Sequence, residues 1–419
     1  MIRMVEALNY RCLRYVRQEL SRFHVLVGPN ASGKTTFFDA IRFLGDLVAH
    51  GLEAAVKNRT DNLQDLIWRR EGERFELAIE VEIPEELRSP PRRPDFTRCR
   101  YEVAIGIERK TEENAILAER VLLLAPSWLG DGAMRRQRRL FPEPVAPPST
   151  ILVPTPAKGV RTVVNKRPGG NDNFYDEQAK GWDSVWRLGP RKSALGNLPE
   201  DESKFPVATW LKRMLIEGVQ HLILNSGLMK KPSPPGWWSG FQTDGSNLPW
   251  VIEELGRKAP DRKQAWLEHL RTALPDLEDI HTVLRAEDRH RYLMMRYRGG
   301  LEVPSWVLSD GTLRLLALTL LAYLPDVRGI YLIEEPENGI HPRAVEIAFQ
   351  SLSSVYQAQI LLATHSPVIV GLSEPRQVLC FAKTEEGATD IVLGSEHPAL
   401  QDWQRDTNLG VLYAAGVLG

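Results

Sequence analysis

The sequence predicts an α/β protein with a mostly parallel core sheet, an antiparallel β subdomain and an irregular, partly helical insertion. Three observations carry this. At 23–44 a short apolar run, Val25-Leu26-Val27, leads into a glycine loop and then into Phe37-Phe38-Asp39-Ala40-Ile41-Arg42-Phe43-Leu44, which has a helical pattern. From Ser309 onward, apolar strands and helices alternate, as they do in a parallel sheet covered on both faces. Between these regions, from Pro126 to Pro249, prolines, glycines and tryptophans are dense enough to exclude one long helix.

Taken in order, Ile2 to Leu8 and Leu13 to Leu20 read as two strands ahead of the loop strand, and the helix after the loop runs to about His50. Phe75 to Ile83, Tyr101 to Glu108 and Ala115 to Leu124 alternate apolar and charged residues, the pattern of antiparallel strands with one wet face. Within the proline-rich stretch, Ala208 to Ile223 reads as a helix. Leu248 to Leu255 and Arg262 to Leu274 read as amphipathic helices, and Ile280 to Ala286 with Arg291 to Arg298 as a hairpin. Leu313 to Leu324 and Ala344 to Tyr356 are expected helices; Gly329 to Ile333, Ile360 to Ala363 and Val378 to Ala382 are expected buried strands. The boundaries this suggests are 1–124, 125–280 and 281–419, with the middle stretch a lid or partner-binding insertion.

The loop at 28–36 has the spacing of a phosphate cradle, Gly28-x-x-x-x-Gly33-Lys34-Thr35, in the required strand–loop–helix setting. Its glycines let backbone N–H groups converge on phosphate oxygens, and the helix N-terminus adds partial positive charge. Asn30, Ser32, Gly33, Lys34, Thr35 and Thr36 are the candidate nucleotide-binding positions. Lys34 can reach the β- and γ-phosphates, and the Thr35 hydroxyl can ligate Mg2+. Ile330-Tyr331-Leu332-Ile333-Glu334-Glu335-Pro336 is an apolar strand ending in two acids. Glu334 is the candidate metal acid, and Glu335 the group that polarises an attacking water. Leu308-Ser309-Asp310-Gly311-Thr312 precedes an apolar helix and forms a candidate anion site, although Ser and Asp are also ordinary N-caps. His365, in Thr364-His365-Ser366-Pro367, falls at the carboxyl edge of the sheet and can hydrogen-bond a γ-phosphate. Glu337-Asn338-Gly339-Ile340-His341-Pro342 marks a tight loop suited to a subunit interface.

Together these motifs resemble the ATP-binding-cassette head of the RecF/SMC/OLD group of P-loop ATPases. Gly28–Thr36 is similar to Walker A, Leu308–Thr312 to the signature, Ile330–Glu335 to Walker B, Asn338–Pro342 to the D-loop and His365 to the switch histidine. The resemblance covers 1–124 and 281–393. It implies ATP and Mg2+ as cofactors and Glu335 and His365 as catalytic residues. It also implies a homodimer or higher homo-oligomer closed head to tail around ATP, in which Ser309 and Gly311 of one subunit meet the γ-phosphate held by another. Glu335 to Pro342 is especially similar to single-gene ATPases of bacterial antiphage and OLD-like systems. The signature departs from the family in reading Ser-Asp-Gly-Thr, and Glu334 stands where Asp is usual. Gln64 is the candidate for the family's glutamine loop.

Charge and composition narrow the function. The net charge of −1 gives no global field for nucleic acid or an anionic membrane. Cys12, Cys99 and Cys380 form no CxxC pair and fit a reducing cytoplasm. Lys34 and Ser309 lie much further apart than the equivalent motifs of transporter ATPases, and the prolines between 126 and 249 exclude the long coiled coil of a structural-maintenance protein. The reading is a defence-type sensor or scaffold ATPase acting through a separate effector, because the residues after His365 hold no acid cluster resembling the OLD nuclease. Trp128, Trp182, Trp186, Trp237 and Trp238 are candidates for a docking surface. The alternative is a RecF-like repair ATPase that contacts DNA through Arg69-Arg70, Arg135 to Arg139 and Arg285 to Arg298.

Overall fold

A computed structural model describes residues 1–88, 95–109, 111–129, 140–178, 182–236, 240–400 and 408–418, without the side chains of 182–184. Two sheets face each other across the loop helix Lys34–His50, and a separate three-stranded meander joins the second hydrophobic core through Leu277, Ile280, Leu293 and Met295. The chain opens with β1 (Ile2–Tyr10) and β2 (Leu13–Glu19), then β3 (Phe23–Val27) before the loop. Next come β4 (Arg74–Glu82), β5 (Arg98–Ile107), β6 (Asn114–Leu124), β7 (Val160–Lys166), β8 (Asp172–Tyr175) and β9 (Trp182–Trp186). These strands, without β3, form an antiparallel sheet in the order β2-β1-β4-β5-β6-β7-β8-β9.

The core sheet is assembled from distant parts of the sequence. It contains β3 together with β10 (Val219–Leu222), and the meander β11 (Leu277–Leu284), β12 (Arg291–Tyr297) and β13 (Leu301–Pro304) intervenes before β14 (Gly329–Glu334), β15 (Ala358–Ala363), β16 (Val378–Lys383) and β17 (Thr389–Leu393) complete it. The order is β10-β14-β15-β3-β16-β17, parallel except for the last pair. Every residue of β3 and of β15 is buried, the signature of strands covered on both faces.

The structure corrects three readings. Residues 208–223 are not one helix: the helix Pro206–Ile216 ends, and after Gly218 the chain enters β10, which pairs in parallel with β14. Its four residues are too few to show a period. The proline-rich stretch also supplies β7, β8 and β9, which extend the antiparallel sheet. Third, the charged face of that sheet is not wet. Glu76, Glu80, Arg100 and Glu102 are all buried, because residues 150–153 lie over them. Glu76 accepts from the Thr150 hydroxyl at 2.7 Å and from the Ile151 N–H at 2.7 Å; Arg100 donates to Glu6 and Glu102, each at 2.8 Å, and to the Ile151 carbonyl at 2.7 Å. Alternation identified the charged face, but not the strap whose backbone is matched to it. Trp237, Trp238 and Arg135 to Arg139 lie outside the described residues. Among the described residues no helix is long and apolar enough to cross a membrane.

His24 ties β3 to the chain before β16. Its Nε2 accepts the Ser21 N–H at 2.8 Å, so Nδ1 carries the hydrogen and donates to the Gln377 carbonyl at 3.1 Å. Burial lowers its pKa to about 4, against an ordinary value of 6.5. A base depressed in the folded state contributes stability above the unfolded pKa and loses it as pH falls from 6.5 towards 4. Between pH 7.5 and 4, wild type is expected to lose about 3 kcal/mol more than His24→Gln, read from urea midpoints at each pH.

Candidate functional site

In the core sheet β14, β15 and β3 are neighbours. Their carboxyl ends therefore bring the two acids, the switch histidine and the phosphate loop to one edge, where open parallel sheets hold ligands. A cavity of about 430 Å3 lies there, lined by Asn30, Ser32, Gly33, Lys34, Thr35, Thr36, Glu334, Glu335 and His365. Arg11 and Cys12 from the β1–β2 turn, and Lys383 from the end of β16, also line it. The sequence reading had not placed these three at the site. Gln64 is not among the lining residues.

The loop is shaped for an anion. Gly33 is left-handed at φ 108°, and a Cβ there would sit 2.2 Å from the Thr389 hydroxyl, so only glycine fits. That hydroxyl donates to the Ser32 carbonyl at 2.9 Å, clamping the loop from β17. No side chain caps the loop helix among the described residues, which leaves its first N–H groups free for a ligand. Lys34 folds back over the loop, its Nζ 2.8 Å from the Gly28 carbonyl and 3.0 Å from that of Pro29. Burial lowers the Lys34 pKa to about 8, against the raising influence of Glu335 and Glu334.

The Glu334 carboxylate spans the gap between two elements. One oxygen accepts the Thr35 hydroxyl at 2.6 Å; the other lies 3.1 Å from His221 Nε2. The His221 hydrogen bond holds the carboxyl below its ordinary pKa, with Thr35 adding to the effect and burial opposing it. A hydroxyl and a carboxylate in contact at the phosphate loop are hard oxygen donors of the kind Mg2+ takes alongside phosphate oxygens and water, so the residues fit that ion. Glu335 turns the chain out of β14 with φ 47°, unusual for a residue with a Cβ. Its N–H donates to the Ala363 carbonyl at 2.8 Å, which secures the turn, and its carboxylate accepts from the Asn338 amide.

Glu337 fixes the switch loop. It accepts from the Thr364 hydroxyl at 2.7 Å and from the His365 N–H at 2.8 Å. His365 Nδ1 lies 3.3 Å from the Tyr413 hydroxyl, on the helix Leu409–Ala414. Glu337 opens the tight loop singled out in the sequence, but its role in holding the switch loop was not expected there, and Tyr413 belongs to no motif that spacing could flag.

Ser309 and Gly311 do not line the cavity. Ser309 caps the signature helix Asp310–Leu320 by accepting from the Thr312 N–H at 3.1 Å. Gly311 packs so closely on the D-loop that a Cβ would meet the Gly339 carbonyl at 2.2 Å. Arg314 donates to the Asn338 carbonyl at 3.1 Å. His341 caps the helix Pro342–Ser353 through Nδ1. Just before the signature, Trp306 and Val307 are largely exposed. Of the docking tryptophans, Trp186 is exposed, whereas Trp128 packs against Leu122, Leu124 and Val153.

No match to this chain was found among curated proteins. Among solved structures, an SMC head bound to the C-winged helix domain of ScpA matches over 93% of this chain and 97% of its own, at 13% identity and a TM-score of 0.53, a likeness of fold. An SMC head domain from Thermotoga maritima aligns over 94% of this chain and 98% of its own, at 11% identity and a TM-score of 0.43. The profile of one family, described as "AAA domain, putative AbiEii toxin, Type IV TA system", matches residues 23–371. With the phosphate loop, the acids and four of the six core strands inside that span, the chain belongs to this AAA family of P-loop ATPases, and its fold is similar to that of an SMC head.

Proposed function

We propose that the chain binds and hydrolyses ATP with Mg2+ and acts as a sensor or scaffold of an antiphage defence system, controlling a separate effector. The observation that carries the chemistry is the convergence of Lys34, Thr35, Glu334, Glu335 and His365 on one cavity. In this reading Lys34 and the uncapped helix end hold the phosphates. Thr35 and Glu334 would hold Mg2+, which would supply neutralisation of the phosphate charge. Glu335 orients and deprotonates water, and His365 contacts the γ-phosphate. Ser309 and Gly311 lie off their own cavity, which supports a head-to-tail assembly in which they serve the site of a partner copy. For the domains we propose 1–124 and 281–419 as the two main parts of the ATPase and 125–280 as a lid or partner-binding insertion that also contributes β7 to β10 to the two sheets.

The defence role is supported by the family description, which names a toxin of a type IV toxin–antitoxin system. A protein partner is supported by the likeness to an SMC head bound to the C-winged helix domain of ScpA. Exposed Trp186 and Trp306 are the aromatic anchors we assign to contacts with other chains. DNA is the less favoured ligand because most of the described arginine clusters are already engaged. Arg70 pairs with Asp65 at 2.7 Å, Arg285 with Asp288 at 3.3 Å, Arg291 with Glu253 at 3.0 Å and Arg296 with Asp279 at 3.6 Å. ATP turnover of the purified protein, measured with and without double-stranded DNA and with Glu335→Gln as the blank, is expected to be slow and indifferent to DNA. Strong stimulation by DNA would replace this reading with the repair-type one.

A further inference from the structure

We infer that His221 is a positioning residue for Glu334, holding the carboxylate in the orientation that presents its other oxygen to Thr35 and to Mg2+. The inference rests on the proposed Mg2+–ATP site.

The register places it there. In the parallel pair β10–β14, His221 stands opposite Leu332, and Glu334 lies two residues further along the same face. Side chains alternate between faces, so a one-residue slip would put Gln220 or Leu222 beside the acid instead. His221 Nε2 is 3.1 Å from Glu334 Oε1, while Thr35 Oγ1 is 2.6 Å from Oε2. A carboxylate only accepts, so Nε2 must carry a hydrogen. The other ring nitrogen is buried with no hydrogen-bonding partner among the described residues. Burying such a nitrogen is unfavourable, and an apolar side chain would fill the position without that cost. The contact with Glu334 is what this imidazole contributes.

The need for a brace is visible on the far side of the acids. A second cavity of about 360 Å3 borders Glu334 and Glu335 there, walled by His221, Leu224, Arg314 and Asn338. Without the imidazole, the Glu334 side chain has room to swing away from Thr35 into that space. The glutamate itself fits the arrangement. Its extra methylene, compared with the usual aspartate, lets one carboxylate reach from the end of β14 to both the phosphate loop and β10. Side chains behind a metal ligand fix its orientation, and their loss lowers metal affinity or activity about 10- to 100-fold.

The test measures binding, so it does not depend on turnover. In a Glu335→Gln background, the affinity for a fluorescent ATP analogue is measured in EDTA and in Mg2+. His221→Ala is expected to keep the EDTA affinity and to lose about tenfold of the gain that Mg2+ confers. His221→Gln, whose Nε2 can occupy nearly the same place and donate, is expected to keep the gain. A full Mg2+ gain in His221→Ala overturns the inference. So does a loss of EDTA affinity in both variants, because the ring would then act on the fold rather than on the metal ligand. A protein with His221 intact that shows no gain from Mg2+ would instead overturn the Mg2+–ATP reading itself.

Discussion

Glu335→Gln is expected to bind ATP with unchanged affinity and to hydrolyse it on the order of 10²–10⁴-fold more slowly, the usual contribution of a positioned general base. The substitution is nearly isosteric, and the amide oxygen can still accept from Asn338, so the D-loop contact is retained. The unusual backbone at φ 47° is held by the hydrogen bond from the Glu335 N–H to the Ala363 carbonyl, which no side chain alters. What is lost is the capacity to take a proton from water. If the assembly closes around ATP, a subunit that cannot hydrolyse stays closed, and dimers or larger oligomers should accumulate on size-exclusion chromatography with Mg2+ and ATP. Rapid turnover in this variant would remove Glu335 from the reaction. Slow turnover without any change in size would retain the chemistry and count against the head-to-tail assembly.

The parts of the site legible in the sequence are those whose chemistry depends on local spacing. Gly28 to Thr36 must be contiguous to cradle a phosphate. Glu334 and Glu335 must end a buried strand, and His365 must follow its neighbour. All three meet at one edge because β14, β15 and β3 are adjacent; alternating strands and helices implied a parallel sheet, but not this order. The parts not legible act across long separations. Thr389 clamps the loop from 357 residues away, and Gln359 joins the Ile2 N–H to its own side chain across the same span. His221 sits in a four-residue strand with no internal pattern, and it was expected to be helical. Arg100 and Glu102 alternate with apolar residues as a solvated face would, yet they are buried beneath residues 150–153. A sequence pattern records which face of a strand is polar. What covers that face is decided by a segment elsewhere, here one whose backbone N–H and C=O groups pair with the charges.

Lys34→Ala should lose nucleotide binding altogether in practical terms. The side chain is largely buried at the wall of the cavity, and the ammonium's pKa, lowered by burial to about 8, still leaves it mostly charged at neutral pH. In the structure it donates to the Gly28 and Pro29 carbonyls, 2.8 and 3.0 Å away. Phosphate oxygens are stronger acceptors than carbonyls, so bound ATP would draw the same donors outward. Each hydrogen bond from a charged donor contributes about 1.5–3 kcal/mol, and losing two of them corresponds to a fall in affinity of roughly a hundred- to ten-thousand-fold. Truncation also removes the cation that offsets Glu334 and Glu335, leaving two carboxylates to face a polyphosphate. Local charge repulsion therefore adds to the lost contacts. Two results together would test this: a nucleotide affinity beyond the range of calorimetry, and a urea midpoint no lower than that of wild type, since removing a buried, desolvated ammonium relieves the fold of a burden that only the ligand compensates. Unchanged affinity in Lys34→Ala would sink the assignment of 28–36 as the nucleotide loop, and every other role at this edge of the sheet would fall with it.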